Sequence, residues 1–274
     1  LPDTHKGSYG RLLVIAGSCG MAGAAMMATL SAMRTGCGLT TLAAPENVVK
    51  SAAPHLMEAM TLPLAENAEG TIVSEALRQI ETAIIGKTAV LIGCGLRTSE
   101  NTKQIVQYIT KNTNSIVVLD ADALNSIAGD PSILKGAKAQ VVITPHIGEM
   151  ARLTGMTVEQ VSSRQEEAAR AFACEYGCVT VLKSHRTVVA APDGTLWINT
   201  TGNAALAKGG SGDVLAGMIA SFAAQGLEAA AAAICAVWVH GFAADRLVRR
   251  MSQYSVLARD LIGEIPFALK ALGL

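Results

Sequence analysis

The stretch Leu12-Leu-Val-Ile-Ala-Gly-Ser-Cys-Gly-Met-Ala-Gly23 decides the fold: a short run of bulky apolar residues, a glycine-rich turn, then Ala22 to Arg34 at helical spacing. An apolar run too short for a helix and bounded by glycines reads as a buried strand, and the longer periodic segment after it as a helix. Working outward, further strand-like runs lie at Leu39 to Ala43, Ala89 to Ile92, Ile116 to Leu119, Val141 to Thr144 and Val179 to Lys183. Glu100 to Lys111 and Val158 to Tyr176 carry helical spacing between them. Alternation of this kind implies an α/β fold: a mostly parallel central sheet with helices on both faces, a three-layer α/β/α sandwich. Thr187 to Ala191 and Thr195 to Asn199, joined by Pro192-Asp193-Gly194, are expected to form an antiparallel edge hairpin. Everything after Gly212 reads as helical. No linker, low-complexity block or internal repeat divides 1–274, so a single domain is expected.

Ligands of open α/β sheets sit beyond the carboxyl ends of the strands. The turn at 17–23, Gly93-Cys-Gly95, Asp120-Ala-Asp122 and Thr144-Pro-His-Ile-Gly-Glu149 each follow an expected strand, which gathers them on one face. The richest signal is Asn199-Thr-Thr-Gly-Asn-Ala-Ala-Leu-Ala-Lys-Gly-Gly-Ser-Gly-Asp-Val-Leu-Ala-Gly217. Gly209, Gly210 and Gly212, with Ser211 among them, let backbone N–H groups approach an anion at a helix start, a place suited to phosphate. Asp213 then reads either as a base that accepts a hydroxyl proton during attack on phosphorus or as a helix cap.

The remaining candidates each allow two roles. Asp120 and Asp122 suit water-mediated magnesium or the capping of a short helix, with capping the better fit. His146 suits a ligand contact or a histidine satisfied within its loop, and the ligand role is favoured by its neighbours. Glu149 reads first as a helix-start acid. Lys183 suits a nucleotide or phosphate contact, or simple solvation. The glycines at 17, 20 and 23 fit neither a dinucleotide fingerprint nor a Walker A loop, and Gly86-Lys-Thr88 precedes a strand where a Walker A loop needs a helix.

Composition narrows the partners. Of 274 residues 50% are apolar, so a large core is available, and Lys plus Arg equals Asp plus Glu at 22 each. With no net field and only 4% aromatic residues, neither nucleic acid nor an anionic membrane is expected as a partner. Six cysteines without a C-x-x-C pair read as reduced thiols, and no leader pattern opens the chain, so a cytoplasmic location is expected. A start at Leu1 suits processing, trimming or a piece of a longer polypeptide.

Taken together, His5-Lys-Gly-Ser-Tyr-Gly10, Thr144 to Glu149, Lys183 to Thr187 and Asn199 to Gly217 resemble the ADP- or ATP-dependent NAD(P)H-hydrate dehydratases, which are ribokinase-like proteins. The resemblance implies coenzyme repair, in which the (S)-hydrate of NADH or NADPH is phosphorylated by ADP or ATP and loses phosphate. It implies Asp213 as the catalytic base. Ala24, Gly95, His146 and Asp213 map to the hydrate side, and Lys183, Ser184, His185, Arg186, Thr187 and Gly212 to the nucleotide side, with Gly209, Gly210, Ser211 and Gly212 as the anion hole. His5 to Gly10 is expected on the same face. The family further implies Mg2+, a homotetramer, a tilt towards ADP, and occurrence alone or fused to a hydrate epimerase; the opening Leu1 to Lys6 suits either. Where the family often has glycine after the lysine and proline between two glycines, this chain has Ser184 and Cys94. The rival reading is a ribokinase-like kinase of a vitamin precursor, hydroxymethylpyrimidine or hydroxyethylthiazole, whose product keeps its phosphate. A non-catalytic nucleotide sensor is disfavoured by the intact Gly209 to Asp213.

Overall fold

The computed structural model describes residues 3–274. Leu1 and Pro2, the first residues of the opening segment, lie outside the described residues. The strands are β1 (Arg11–Ile15), β2 (Leu39–Pro45), β3 (Met60–Leu64), β4 (Ala89–Ile92), β5 (Ile116–Leu119), β6 (Val141–Ile143), β7 (Val179–Leu182), β8 (Val188–Ala190) and β9 (Leu196–Ile198). Among the described residues they form one sheet in the order β3-β2-β1-β4-β5-β6-β7-β8-β9. Pairing is parallel from β3 to β7 and antiparallel in the β8 and β9 edge, as the hairpin reading required.

The helices are, in chain order, α1 (Ala22–Arg34), α2 (Glu46–Ala52), α3 (Ala76–Ala83), α4 (Glu100–Asn112), α5 (Asp122–Ile127), α6 (Ile147–Thr154), α7 (Val158–Ser163), α8 (Gln165–Tyr176), α9 (Ser211–Ala224), α10 (Ala229–Leu247) and α11 (Ala258–Ala271). Side chains alternate across a strand, so each central strand feeds two cores. Leu12, Val14, Leu91 and Val118 face the layer of α1, α2 and α9 to α11; Leu13, Ile15, Val90 and Val117 face α3 to α8. Burial on both faces explains why these strands read as continuous apolar runs.

Two elements depart from the sequence reading. β3 carries Pro63, which cannot donate to a ladder and weakens the strand signal, but β3 lies at the sheet edge, where proline is tolerated. Val158 to Tyr176 breaks at Arg164, whose backbone leaves the helical region. Apolar spacing does not encode that break, because Val161 and Ala168 stand seven residues apart and would share a face of an unbroken helix as well.

α10 is long and apolar enough to pass a length-and-composition test for a membrane span, and 56% of it is buried. In this sheet it serves as a core helix, with Ala232, Ala233, Ala236 and Ala243 packed inside.

Candidate active site

The site is built from strand ends. Just past β5, Asp120 is 1% exposed, and its Oδ1 accepts hydrogen bonds from Lys183 Nζ at 2.9 Å and Thr144 Oγ1 at 2.6 Å. Lys183 follows β7 and its N–H donates to Pro145 O at 2.8 Å, which holds the β6 and β7 ends side by side. Cys94, after β4, is buried and lies 3.5 Å by its Sγ from Asp120 Oδ2. The ligand atoms of Cys94, Asp120 and Asp213 all fall within 4.8 Å of one another. Asp120 and Asp213, separated by most of the sheet's sequence, thus form a pair of neighbouring carboxylates.

Electrostatics gives the two acids different states. Burial opposes ionisation of Asp120, but the Lys183 charge and the Thr144 hydrogen bond outweigh it and hold its pKa below the usual range. Lys183 is in turn opposed by burial and held above its usual value by Asp120 and Glu149. At Asp213 the balance is reversed: burial first, and then the Asp120 charge, push it up to about 6 against the opposing Cys94 hydrogen bond and Lys183 charge. A carboxylate poised near neutrality beside a fixed anion–cation pair is suited to taking up a proton.

Asp213 lies in the first turn of α9, whose preceding residue Gly210 is left-handed at φ 91° and supplies no side-chain cap. A side chain at Gly210 would also meet Met27 Sδ at 2.6 Å, so both conformation and space favour glycine there. The first N–H groups of a helix have no acceptor within it; here the Ser211 N–H donates to Lys208 O and no side chain caps those that follow. Lys183 Nζ stands 3.3 Å from where a side chain on Gly212 would begin. The glycine-rich turn thus meets Lys183 at Gly212.

His146 and Glu149 sit at the start of α6 in a reciprocal cap. His146 Nδ1 accepts from the N–H groups of Gly148 and Glu149 at 3.0 and 3.2 Å, and Glu149 Oε2 accepts from the His146 N–H at 2.8 Å. Burial lowers the His146 pKa despite the nearby Glu149, and the ring keeps 54% of its side chain exposed. Glu149 is a helix-start acid as expected and also faces Lys183 at 4.0 Å.

The structure brings Ala24 and Gly95 together, with the Ala24 Cβ 3.0 Å from where a Gly95 side chain would begin. Ser184 to Thr187 form the connection from β7 to β8. His185 and Arg186 are exposed, Thr187 is buried, and Ser184 Oγ is buried with no hydrogen-bond partner. A cavity of about 470 Å³ between α7, α8 and Arg186 adjoins this segment, but neither Asp213 nor Lys183 lines it. That cavity is lined by Arg164, Glu166, Glu167 and Arg186 at the uncapped start of α8, but the paired carboxylates Asp120 and Asp213 lie elsewhere, which assigns the chemistry to the strand-end cluster.

Two expectations are corrected. Asp120 and Asp122 do not cap α5: the preceding residue Ala121 (φ 49°) provides no side-chain cap, Asp120 is ion-paired, and Asp122 Oδ2 accepts from the Arg97 N–H at 2.8 Å. His5 to Gly10 does not lie on the site face. Gly38 N–H donates to Tyr9 O and Leu39 N–H to Gly10 O, so the segment precedes β1 and β2 at the amino ends of the strands. Thr88 Oγ1, which accepts from the Arg11 N–H, donates to Ala224 O at the far end of α9. The segment is thus about one helix length, ~20 Å, from Asp213.

Residues 12–267 match the sequence profile of the family described as NAD(P)H-hydrate dehydratase. The chain belongs to that family. It is 40% identical over 268 residues to a bifunctional NAD(P)H-hydrate repair enzyme of Moorella thermoacetica, covering 98% of this chain and 51% of that protein. The chain therefore spans about half the length of such bifunctional relatives. It is 38% identical to an ADP-dependent (S)-NAD(P)H-hydrate dehydratase of Neisseria meningitidis, with 98% of this chain and 87% of the relative covered. Among solved structures, an ADP/ATP-dependent NAD(P)H-hydrate dehydratase from Bacillus subtilis, co-crystallised with ATP/Mg2+, matches with a TM-score of 0.85 at 34% identity, covering 98% of this chain and 92% of that one. A hydroxyethylthiazole kinase from Pyrococcus horikoshii, at 16% identity and a TM-score of 0.62, shares the ribokinase-like fold alone.

Sequence reasoning missed the Asp120–Lys183 ion pair, the contact of Cys94 with Asp120, and two residues of α10, His240 and Asp245, that hold the glycine-rich segment. Nothing in local spacing signals them, because each pairing spans more than 25 residues of chain.

Proposed function

We propose that the chain returns the (S)-hydrate of NADH or NADPH to the intact coenzyme, using ADP or ATP to phosphorylate the ring hydroxyl and then expelling phosphate. The observation that carries this reading is the uncapped start of α9 with Asp213, poised at about 6, beside it. Hydroxide leaves a saturated carbon poorly. Phosphate leaves well: the lone pair of the ring nitrogen forms a C=N bond as the C–O bond breaks, and loss of a proton from the adjacent ring carbon then restores the ring double bond and the neutral nitrogen. Asp213 takes the hydroxyl proton while that oxygen attacks phosphorus. The N–H groups of Gly212 and Asp213 and the Lys183 ammonium would stabilise the charge that develops on the transferred group. Ala24, Gly95 and His146 would border the hydrate; Lys183 to Thr187 and Gly212 would border the nucleotide.

Mg2+ takes oxygen ligands and keeps several waters. Cys94 offers it only sulfur, and Asp120 Oδ1 is already engaged by Lys183 and Thr144. The donor set fits a hydrated Mg2+ held chiefly by nucleotide phosphates, with Asp120 reaching it through water. When bound, the cation would neutralise phosphate charge. Six free cysteines support a reducing, cytoplasmic setting. We further propose that the chain works as one domain in a homotetramer, alone or joined to a hydrate epimerase, on the strength of the family resemblance.

The test incubates purified hydrate with the protein and either ADP or ATP, following return of the near-ultraviolet absorbance of the dihydronicotinamide. Recovery with at least one nucleotide is expected. No recovery with either, or a phosphorylated vitamin precursor as the product formed instead, would overturn the reading.

A further inference from the structure

The glycine-rich segment begins some ten residues before its glycines, and the chemistry of the cradle leaves Thr201 to Asn203 without a role. Beyond local bonds to Asn199, Ala205 and Leu206, their partners are on α10. Asp245 Oδ2 accepts from the Gly202 N–H at 2.9 Å and Asp245 Oδ1 from Asn203 Nδ2 at 2.8 Å. Thr201 Oγ1 donates to Trp238 O at 2.8 Å. Gly241 has no side chain exactly where one would be blocked, since a Cβ there would lie 2.6 Å from the Thr201 carbonyl carbon. Asn203 Oδ1 then accepts from the Ala205 N–H at 3.0 Å and starts the short turn Ala204–Leu206 that leads into the glycines. At the other end of the segment, Ser211 Oγ lies 3.5 Å from Nε2 of the buried His240.

We propose that α10 is a latch for the phosphate cradle: Asp245, through Gly202 and Asn203, fixes its entry, His240 fixes its exit at Ser211, and both are positioning residues for nucleotide binding and phosphoryl transfer. The inference rests on the reading of Gly209 to Asp213 as the cradle. A glycine-rich loop has many conformations open to it, and only a few aim its N–H groups at one point. A helix in the core supplies the rigid frame, because α10 packs both against α9 and under the loop. Asp245 is suited to the task because an ionised carboxylate only accepts, and it meets two donors from consecutive residues. Neither Asp245 nor His240 needs to touch a ligand for this to hold.

The reciprocal pair Asp245→Asn and Asn203→Asp tests the latch. Asp245→Asn alone turns an amide group towards a donor; Asn203→Asp alone sets two carboxylates together; the double variant restores complementarity, since the new amide at 245 donates to the new carboxylate at 203 and still accepts from Gly202. ATP affinity by calorimetric titration, NADPH affinity as the probe of the other side, kcat and thermal midpoint are measured on all four proteins. Each single variant is expected to weaken ATP binding and lower kcat about tenfold while NADPH affinity stays within about twofold, and the double variant to recover to within about threefold of the parent. Singles that leave ATP affinity unchanged, singles that weaken ATP and NADPH alike, or a double variant no better than the worse single would overturn it. Should Asn203→Asp fail to fold, Asp245→Asn with its ATP-to-NADPH split decides alone. ATP titration requires no turnover, so a parent protein inactive on hydrate overturns the functional reading and leaves this comparison readable.

Discussion

The starts of α6 and α9 both open towards the carboxyl end of the sheet, yet they are finished in opposite ways. At α6 the ring nitrogen of His146 takes the N–H groups of Gly148 and Glu149, and Glu149 returns a hydrogen bond to the backbone of His146. At α9 the residue in the capping position is Gly210, which has no side chain to offer. The first helix caps itself with side chains and gains stability; in the second the Ser211 N–H turns back to Lys208 O and no side chain caps the N–H groups of Gly212 and Asp213, which leaves those for a ligand. The starts of α1, α2 and α8 also lack a side-chain cap, so what sets α9 apart is the company of Asp120, Lys183 and Asp213. Asp213 sharpens the contrast, because an acid in the first turn ordinarily gains from the helix dipole. Here burial and the Asp120 charge push it up to about 6 all the same.

The largest effect should come from removing the acid at the open start. Asp213→Asn is expected to lower kcat about a thousandfold while nucleotide affinity, by titration, changes little; a variant that keeps a tenth of parental kcat would put the base elsewhere. Closing the open start comes next. Gly210→Ala places a methyl group against Met27 in a left-handed conformation, and a fall in kcat/KM of about tenfold to a hundredfold is expected.

Acid should act more gently and on both activity and stability. Only ionised Asp213 accepts a proton, so kcat measured across pH should be level above about 6 and fall about tenfold per unit below it. Stability runs the other way. The folded pKa of Asp213 lies above its ordinary value of 3.8, so its contribution to folding is fully present below 3.8 and is lost as pH rises through about 6. Asp213→Asn, inactive as it is, should therefore raise unfolding free energy at pH 8 by about 1–2 kcal/mol in denaturant titrations. Equal stability of the two proteins at pH 8 would contradict the stated burial of that charge.

The smallest effect on chemistry belongs to the closed start. His146→Ala removes a cap and should cost about 1 kcal/mol of stability, with kcat within about threefold of the parent. A fall in hydrate affinity would mark the proposed contact of His146 with the hydrate, and unchanged affinity would leave His146 as a cap alone.

How far the sequence reached follows the same division. The strand–turn–helix units and the hairpin were legible because strands buried on both faces are continuous apolar runs, as in Leu12 to Ile15 and Ala89 to Ile92. β3 was not, since Pro63 hides an edge strand. In the site, Gly209 to Asp213 announced itself because its elements are contiguous. The ion pair of Asp120 with Lys183 and the α10 contacts were silent, because a parallel sheet joins residues far apart in the chain. His5 to Gly10 shows the reverse error: the segment marks the family well, but nothing in its residues says at which end of the sheet it folds.

The most direct test of the central claim, that the open start of α9 serves phosphoryl transfer to the ring hydroxyl, follows one oxygen atom. Hydrate carrying heavy oxygen in that hydroxyl is turned over with ADP or ATP, and the label is sought in inorganic phosphate and in water by mass spectrometry. Phosphorylation followed by C–O cleavage predicts that the label leaves in phosphate; label recovered in water would contradict it.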